Sequence, residues 1–330
     1  MNQKYFIGID LSKGKIDCAV MTSDIQLLLE KVVKNDVDRI KSFINAFIRK
    51  QKCNASDLLI CCENTGIYCR PLEKVCVELG VDLWVENAVK IKRASTDMRG
   101  KSDRRDAERI AEYAVRYIDR KVLFLPSSDD VLELRALAKT RETLINNKKG
   151  FECQLNEAKS HDPKLFKTLS KMYNPFIKMY TKSIAENDKM MDEVIERNME
   201  LKANSDLVQS IPGVGKQVAV QFIIYTNNFQ DFTSAKHLAC YAGVVPFENE
   251  SGKLIKRRRV SKMANLKLKS ILHMAAMSAV RGKNDLGEYY VRKVSQGKNK
   301  MSVINAVRNK LVHRIWAVVE RQSAYKIELT

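Results

Sequence analysis

Short β-rich runs alternate with helical stretches over the first 125 residues, and this alternation restricts that part of the chain to a layered α/β fold. Tyr5–Asp10 and Asp57–Glu63 are predicted to be buried strands, and each ends on an acid. Lys15–Met21 and Ile25–Val33 follow the first strand as antiparallel partners, and Val81–Glu86 is the last core strand. Neighbouring strands of one sheet would bring the two terminal acids together.

Helical periodicity separates these strands. Apolar residues recur at helical spacing in Asp36–Lys50, and a second helix is expected to end at about Gly80. Ser102 is predicted to cap a helix over Asp103–Arg116. That helix carries acids in its first turn, where the helix dipole favours negative charge.

The chain changes character twice after this first domain, 1–125. Residues 126–205 are polar and poor in glycine, with apolar residues every three or four positions, which predicts an antiparallel helical hairpin or a dimerising coiled coil. The break between its two helices is expected near His161–Lys164 or Asn174–Pro175. Residues 206–330 are predicted to form a basic, mainly helical domain.

Positive charge is concentrated near the C-terminal end. The whole chain has 58 Lys and Arg against 39 Asp and Glu, a net charge of +19. Residues 251–330 hold 19 basic and 4 acidic side chains, so they account for 15 of these charges. A basic segment this concentrated indicates a polyanionic partner, most often nucleic acid.

Composition also excludes several classes of protein. Lys or Arg interrupts every apolar run well before the roughly 20 residues that a membrane span requires. Met1–Asp10 lacks the cleavage pattern of a signal peptide. The 8 Cys include no Cys-x-x-Cys pair, which argues against a zinc site or a disulfide framework and favours reduced thiols. We therefore expect a cytoplasmic protein with no membrane partner.

Four acids of the first domain form a candidate catalytic constellation. Asp10 and Glu63 end strands, while Asp103 and Asp106 lie three residues apart on one helix face. Carboxylates that converge without basic neighbours repel one another, and divalent cations between them would relieve that repulsion. Oxygen ligands suit Mg²⁺ or Mn²⁺, and two such ions about 4 Å apart can stabilise a phosphodiester displacement. Each acid alone fits a strand end or a helix N-terminal charge, but the complete set favours catalysis.

These motifs resemble those of the DEDD transposases of insertion-sequence family one-ten and of their relatives, the Piv-type DNA invertases. The matching segments are Ile7–Asp10, Glu63–Tyr68, Val85–Asn87, Lys101–Ala107, Ile211–Gly215, Tyr241–Pro246 and Ser251–Gly252. The resemblance covers nearly the whole chain. It implies an RNase H/RuvC-like first domain, a helical coiled-coil middle and a mainly α-helical transposase domain.

The resemblance also implies roles for individual residues. The four acids would bind the metals, and Ser251 would be the nucleophile that attacks DNA. Many relatives have two consecutive serines before the glycine, whereas here Glu250 precedes Ser251. A serine hydroxyl needs a base or a metal to become a good nucleophile, and no His lies near Ser251 in the sequence. On residue type alone, Ser251 also fits a turn.

Two further features indicate nucleic-acid contacts. Gly213 and Gly215 open a helix in a pattern that resembles half of a helix-hairpin-helix element, whose N–H groups can bind a phosphate. A plain turn between helices fits these glycines equally well. The densest basic run is predicted to be the principal phosphate-contacting surface, and it comprises Lys253, Lys256, Arg257, Arg258, Arg259 and Lys262.

The leading hypothesis is a DNA transposase or site-specific recombinase that cuts and rejoins strands through a phosphoserine intermediate. Its DNA partners would be the element ends and the target, and the resemblance implies a structured guide RNA encoded by the element. A homodimer or tetramer is expected, because a serine of one domain has to act together with carboxylates of another.

Two alternatives remain open. Ile7–Ser12 also resembles the first phosphate loop of actin-like ATPases and sugar kinases, although this chain has Leu11, Ser12 and Lys13 where those proteins have a Gly-Thr that holds the nucleotide phosphates. A non-catalytic nucleic-acid-binding protein with an inactive first domain is the other alternative. Nucleotide hydrolysis would identify the first, and nucleic-acid binding without cleavage the second.

Overall fold

A mixed five-stranded sheet forms the centre of the first unit of this computed structural model. Its strands are β1 (Tyr5–Leu11), β2 (Lys15–Thr22), β3 (Leu27–Lys34), β4 (Leu58–Glu63) and β5 (Asp82–Glu86). The strand order is β3-β2-β1-β4-β5, in which β1 is antiparallel to β2 and parallel to β4. The predicted α/β character of this part of the chain is therefore confirmed.

The structure describes residues 3–94, 103–251, 254–260 and 264–326, with the backbone alone for 247–251 and 254–259. Its contacts divide the chain into two units, residues 1–126 and residues 127–330. The predicted helix cap Ser102 lies outside the described residues.

Helices pack on both faces of the sheet. Those described in the first unit are α1 (Val37–Gln51), α2 (Arg70–Leu79), α3 (Ala88–Ala94) and α4 (Asp103–Arg116). Successive side chains of a strand point to opposite faces. Ile7 and Ile9 of β1 therefore share one core with Ile44 of α1, while Phe6 packs with Ile110 of α4 on the other face.

Helix ends in this unit follow ordinary capping chemistry. The Asp36 side chain accepts a hydrogen bond from the backbone N–H of Arg39 and so caps the start of α1. Gly80 ends α2 in the left-handed conformation, with φ of 65°. The cysteines Cys61 and Cys62 are buried in the core strand β4.

Helix α4 lies against β1 at Gly8. A Cβ atom on Gly8 would lie 2.2 Å from the carbonyl oxygen of Ala107 and 2.2 Å from the amide nitrogen of Ala111. Backbone atoms cannot yield at such a distance, so only glycine fits this position. Ala19 of β2 completes the contact with the two alanines of α4, and small side chains thus let the helix approach the sheet.

The second unit is mostly helical. Its described helices are α5 (Asp129–His161), α6 (Pro163–Arg197), α7 (Met199–Gln209), α8 (Lys216–Thr226), α9 (Ala235–Tyr241), α10 (Leu266–Arg281), α11 (Asp285–Ser295) and α12 (Lys300–Glu320). One hydrophobic core includes Leu134 of α5, Phe222 of α8 and Leu311 of α12. None of the described helices combines the length and the apolar character that a membrane crossing requires.

Helices α5 and α6 form an antiparallel hairpin, because the residue numbers of contacting pairs rise in one helix as they fall in the other. The pairs are Asp130 with Arg197, Arg141 with Asp188 and Phe151 with Phe176. Asp162 separates the helices and caps α6, which is the first of the two predicted breaks. Pro175, at the second predicted break, lies inside α6.

A β-hairpin interrupts the helices of the second unit. Strands β6 (Pro246–Ser251) and β7 (Leu254–Val260) pair in antiparallel register, from Pro246 opposite Val260 to Ser251 opposite Leu254. The prediction of a mainly helical domain over residues 206–330 did not include this hairpin. Turn-forming residues before Ser251 and four consecutive cations in β7 conceal the alternation that normally identifies strands.

The Gly8→Ala variant is expected to lower the free energy of unfolding by at least about 2 kcal/mol, because its methyl group overpacks against the α4 backbone. Chemical denaturation measures this change. Gly14→Ala is the matched control, since a Cβ atom at Gly14 meets nothing within 4 Å, and its effect should stay within about 0.5 kcal/mol. Equal losses in the two variants would contradict the close helix–sheet contact.

Candidate active site

Three strand acids lie on the α4-facing side of the sheet. Asp10 follows Gly8 by two residues, so it points to the same face. Asp17 of β2 lies directly opposite Asp10 in the antiparallel register. Glu63 is the last residue of β4, the parallel neighbour of β1. Because Ile9 of β1 pairs with Cys62 of β4, the next residues, Asp10 and Glu63, lie side by side on the two strands. Three carboxylates are therefore gathered where β1, β2 and β4 adjoin.

Helix α4 adds two acids from its first turn, Asp103 and Asp106. Burial raises the pKa of Asp10, and the nearby carboxylates of Asp106, Asp103 and Asp17 raise it further. Burial likewise raises the pKa of Glu63, followed by the charges of Asp10 and Asp106. The four acids predicted from the sequence thus come together, with Asp10 at the centre.

Two basic side chains lie among these acids. The Lys15 ammonium donates a hydrogen bond of 2.8 Å to Asp103 and lies 3.0 Å from a carboxylate oxygen of Asp17. Arg109 donates a hydrogen bond of 2.9 Å to Asp106. Its partners Asp103 and Asp17 raise the pKa of Lys15. The cluster is therefore partly neutralised from within, unlike the cluster without basic neighbours that the sequence suggested.

The donor set fits a hard divalent cation. The Asp10 and Glu63 carboxylates are half-buried, and no described residue donates a hydrogen bond to either. Lys15 and Arg109 each occupy one oxygen of the acids on α4. Within the described residues no three metal-ligating side chains are close enough to share an ion. The oxygens needed for Mg²⁺ or Mn²⁺ are present, but they are not assembled into a coordination sphere.

Glu86 shows how differently an acid is treated when it has a structural role. It ends β5 beside Glu63 and is 6% exposed. Its carboxylate accepts hydrogen bonds from the Asn87 N–H at 2.7 Å, from Lys90 at 3.2 Å and from the Tyr113 hydroxyl at 3.3 Å. Burial and this carboxylate raise the pKa of Tyr113 to about 12. Glu86 therefore ties α3 and α4 to the sheet and leaves no oxygen free for a cation.

Asp17 and Lys15 were not among the predicted site residues. The signal that identifies them is the short connection between β1 and β2, which fixes Asp10 opposite Asp17. Residues directly opposite each other on two antiparallel strands project from the same face of the sheet. Asp17 therefore lies on the same face as Asp10. Lys15 then follows from its position two residues before Asp17, on the same face.

The predicted residues of the hairpin are positioned by backbone pairing. Ser251 is the last residue of β6. Lys256, Arg257, Arg258 and Arg259 are consecutive residues of β7. Lys253 and Lys262 lie outside the described residues. The serine and the four described cations therefore belong to one two-stranded element.

The two glycines before α8 have different surroundings. Gly213 has φ of 85°, and a Cβ atom there would lie 2.6 Å from the backbone nitrogen of Ala279 in α10. Gly213 thus serves the packing of this loop on α10. Gly215 is the N-cap residue of α8, and a Cβ atom there meets nothing within 4 Å. Only Gly215 retains the open surroundings that a phosphate contact needs.

Comparison with known proteins supplies the class of the protein. A family model for DEDD transposases of the IS110 type, described as Transposase, matches residues 7–158. A second model, described as Transposase IS116/IS110/IS902 family, matches residues 205–291. The protein is therefore an enzyme of the DNA transposase and recombinase class. More specifically, the chain belongs to the IS110 family of insertion-sequence transposases, as its motifs predicted.

Several relatives match along most of their length. The pilin gene-inverting proteins of Moraxella lacunata and Moraxella bovis are 27% and 26% identical over 326 residues, which cover 98% of this chain and 98% of each relative. The transposase for insertion sequence element IS1111A of Coxiella burnetii is 27% identical over 249 residues, or 68% of each chain. Transposases and DNA-inverting proteins are thus both similar to this chain.

In buffer with EDTA, the Asp10→Asn variant is expected to have a higher melting temperature than the wild type. The free energy of unfolding should rise by about 0.5–1 kcal/mol. The neutral amide removes a half-buried charge from a group of like charges. Thermal melting measures the shift. Asp119→Asn is the control, because Asp119 is exposed beside Arg120 at 3.7 Å. A lower melting temperature for Asp10→Asn than for this control would contradict the repulsion.

Proposed function

We propose that this transposase cuts and rejoins DNA strands with its acid cluster and with Ser251. The observation that carries the proposal is the convergence of Asp10, Glu63, Asp103 and Asp106 beside β1. A protein gains no stability from gathering like charges without enough cations to pair them. The arrangement is best understood as a site built for a cationic ligand and its phosphodiester substrate.

The strand arrangement supports an RNase H/RuvC-like first unit. Three strands, β3, β2 and β1, are antiparallel, and β4 and β5 continue the sheet in parallel with β1. The acids come from β1, from the end of β4 and from a following helix. This is the order in which the family resemblance places its four metal-binding acids.

Mg²⁺ or Mn²⁺ would be held by Asp10, Glu63 and Asp106, with Asp103 at the rim. The bound cations would neutralise the phosphodiester and stabilise the oxygens that exchange at phosphorus. Asp17 and Lys15 support this arrangement from β2. Lys15 holds Asp103 and Asp17 together, so it fixes the rim acid relative to the sheet.

Ser251 would form the covalent link to DNA. Its hydroxyl oxygen attacks the phosphorus and gives up its proton. The new serine–phosphate bond forms as the phosphorus–oxygen bond to one deoxyribose breaks, and the released deoxyribose oxygen takes up a proton. Attack on the phosphoserine by a deoxyribose hydroxyl of another strand reverses these changes and rejoins the DNA. Energy of the broken bond is conserved in the intermediate, so no nucleotide cofactor is required.

The proposed partners follow from this chemistry. DNA would include the element ends and the target, and the family resemblance adds a structured guide RNA encoded by the element. The four cations of β7 would contact phosphates of either nucleic acid. A homodimer or tetramer is proposed, because recombination requires cutting of more than one strand.

Glu63→Gln is expected to reduce Mg²⁺-dependent cleavage of element-end DNA at least about a hundredfold, because it removes a metal-binding charge that supports several kcal/mol of transition-state stabilisation. DNA affinity should stay within about threefold of the wild type. Cleavage is measured on end-labelled DNA with and without the transcribed RNA. Glu112→Gln is the control, since Glu112 pairs only with Arg116 on the outer turn of α4 among the described contacts. Full cleavage by Glu63→Gln would refute the acid cluster.

Ser251→Ala should bind DNA as the wild type does but form no covalent protein–DNA adduct, because the attacking oxygen is absent. Denaturing electrophoresis of labelled DNA after incubation with Mg²⁺ detects the adduct. Ser278→Ala, an exposed serine of α10, is the control and should form the adduct normally. An adduct that persists in Ser251→Ala would show that another residue is the nucleophile.

A further inference from the structure

Arg308 of α12 is a buried cation with no counter-charge among the residues that the structure describes. Its side chain is only 8% exposed, and its Nε atom has no hydrogen-bond partner. One guanidinium nitrogen, Nη2, lies 2.6 Å from Nδ1 of His273. Burial lowers the pKa of Arg308, and no described carboxylate opposes that effect. A buried arginine in this condition is costly unless an anion joins it.

The surroundings of Arg308 add positive charge. Lys269 and His273 are four residues apart on α10, so they lie on one helix face toward α12. Burial and Arg308 lower the pKa of Lys269 and that of His273. Neither residue forms an ion pair with any described acid. These three side chains, Lys269, His273 and Arg308, are hereafter the α10–α12 cluster.

Three other arginines of this unit each pair with an acid. Arg141 pairs with Asp188 at 2.6 Å, Arg197 pairs with Asp130 at 2.6 Å, and Arg314 pairs with Asp285. Each of the three is more exposed than Arg308. The most deeply buried arginine of the group is therefore the one without an acid.

His273 orients the guanidinium. An arginine has donors and no acceptor, so the Nδ1 atom of His273 must accept the hydrogen bond and carry no proton. In a neutral ring the proton then resides on Nε2, which makes that atom a second donor. The cluster thus offers guanidinium, ammonium and imidazole donors, and among its polar side-chain atoms only the engaged Nδ1 is an acceptor.

The cluster lies beside the segment that leads into the hairpin. A Cβ atom placed on Gly243 would come within 3.6 Å of the Lys269 side chain. Asn305, one turn before Arg308, donates a hydrogen bond of 2.8 Å to the carbonyl oxygen of Val244. Pro246, two residues later, begins β6, the strand that ends at Ser251. The cluster and the start of the serine-bearing strand are therefore linked through the same short segment.

We propose that the α10–α12 cluster binds one backbone phosphate of the DNA strand on which Ser251 acts. This inference rests on the proposed function and gives that strand a fixed point next to the base of the hairpin. A phosphate supplies the negative charge that Arg308 lacks and accepts hydrogen bonds from all three side chains. The cations of β7 contribute to a general electrostatic attraction, whereas this site is built for a single phosphate.

The test compares Arg308→Met with the wild type and with Lys310→Met. Methionine fills a buried position without charge. Lys310 is the matched control, because it lies on the same helix with its ammonium over the Tyr289 ring. Melting temperatures are measured in chloride and in inorganic phosphate at equal ionic strength. Affinity for element-end DNA, and for RNA of the same sequence, is measured over a series of salt concentrations.

Arg308→Met should melt at or above the wild-type temperature in chloride, since removal of an unpaired buried charge relieves its desolvation. It should lose the added stability that phosphate gives the wild type and Lys310→Met. Its DNA affinity should fall about tenfold, and the slope of log affinity against log salt should become shallower by about 0.9, one phosphate contact. Lys269→Met is the second variant and should show the same losses.

Three results would overturn the site. An unchanged phosphate response in Arg308→Met and Lys269→Met would exclude it. Loss of stability in chloride for Arg308→Met, with normal DNA binding by Lys269→Met, would assign Arg308 a structural role. If Arg308→Met and Lys269→Met bound RNA more weakly than the wild type but bound DNA with unchanged affinity, the assignment of the site to DNA would be refuted. Failure of the proposed function is distinguishable, because then the wild type itself would neither cleave nor covalently link DNA, whatever the variants do.

Discussion

The close packing of α4 on β1 is the contact on which the acid cluster depends. Gly8 has no side chain, so Ala107 of α4 rests directly on the strand. Asp10 is two residues beyond Gly8 on the same face, and Asp106 immediately precedes Ala107. The two carboxylates therefore come together because the backbones that carry them touch. A larger residue at Gly8 would move the helix and with it both acids of its first turn.

The cost of this packing is electrostatic. Asp10 and Glu63 are half-buried near like charges, and burial and repulsion raise the pKa of both. Lys15 and Arg109 offset part of the repulsion, but they pair with the outer acids and leave the inner two without donors among the described residues. Glu86, on the neighbouring strand, receives three hydrogen bonds. The hydrogen bonds give Glu86 a structural role, whereas Glu63 has no such donors among the described residues, as the proposed metal site requires.

Much of the first unit was predictable, because local patterns determine it. Each predicted strand and helix there is present to within a few residues, and acids at strand ends identified the cluster. Features that depend on contacts between residues far apart in the sequence could not be predicted from local patterns. Asp17 and Lys15 required the β1–β2 register. The charged residues of the hairpin that contains Ser251 concealed its strand pattern, and the pairing of His273 with Arg308 joins residues 35 positions apart. Sequence periodicity reports which face a residue occupies, but not which side chain of another element meets it there.

The two units carry opposite electrostatic deficits. In the first, Asp10 and Glu63 lack cations, and in the second, Arg308 lacks an anion among the described residues. Under the proposed function, divalent cations would supply the charge that Asp10 and Glu63 lack, and a DNA phosphate would supply the charge that Arg308 lacks. We therefore propose that substrate binding offsets both unfavourable charge arrangements, each of which lowers the stability of a marginally stable protein when no ligand is bound.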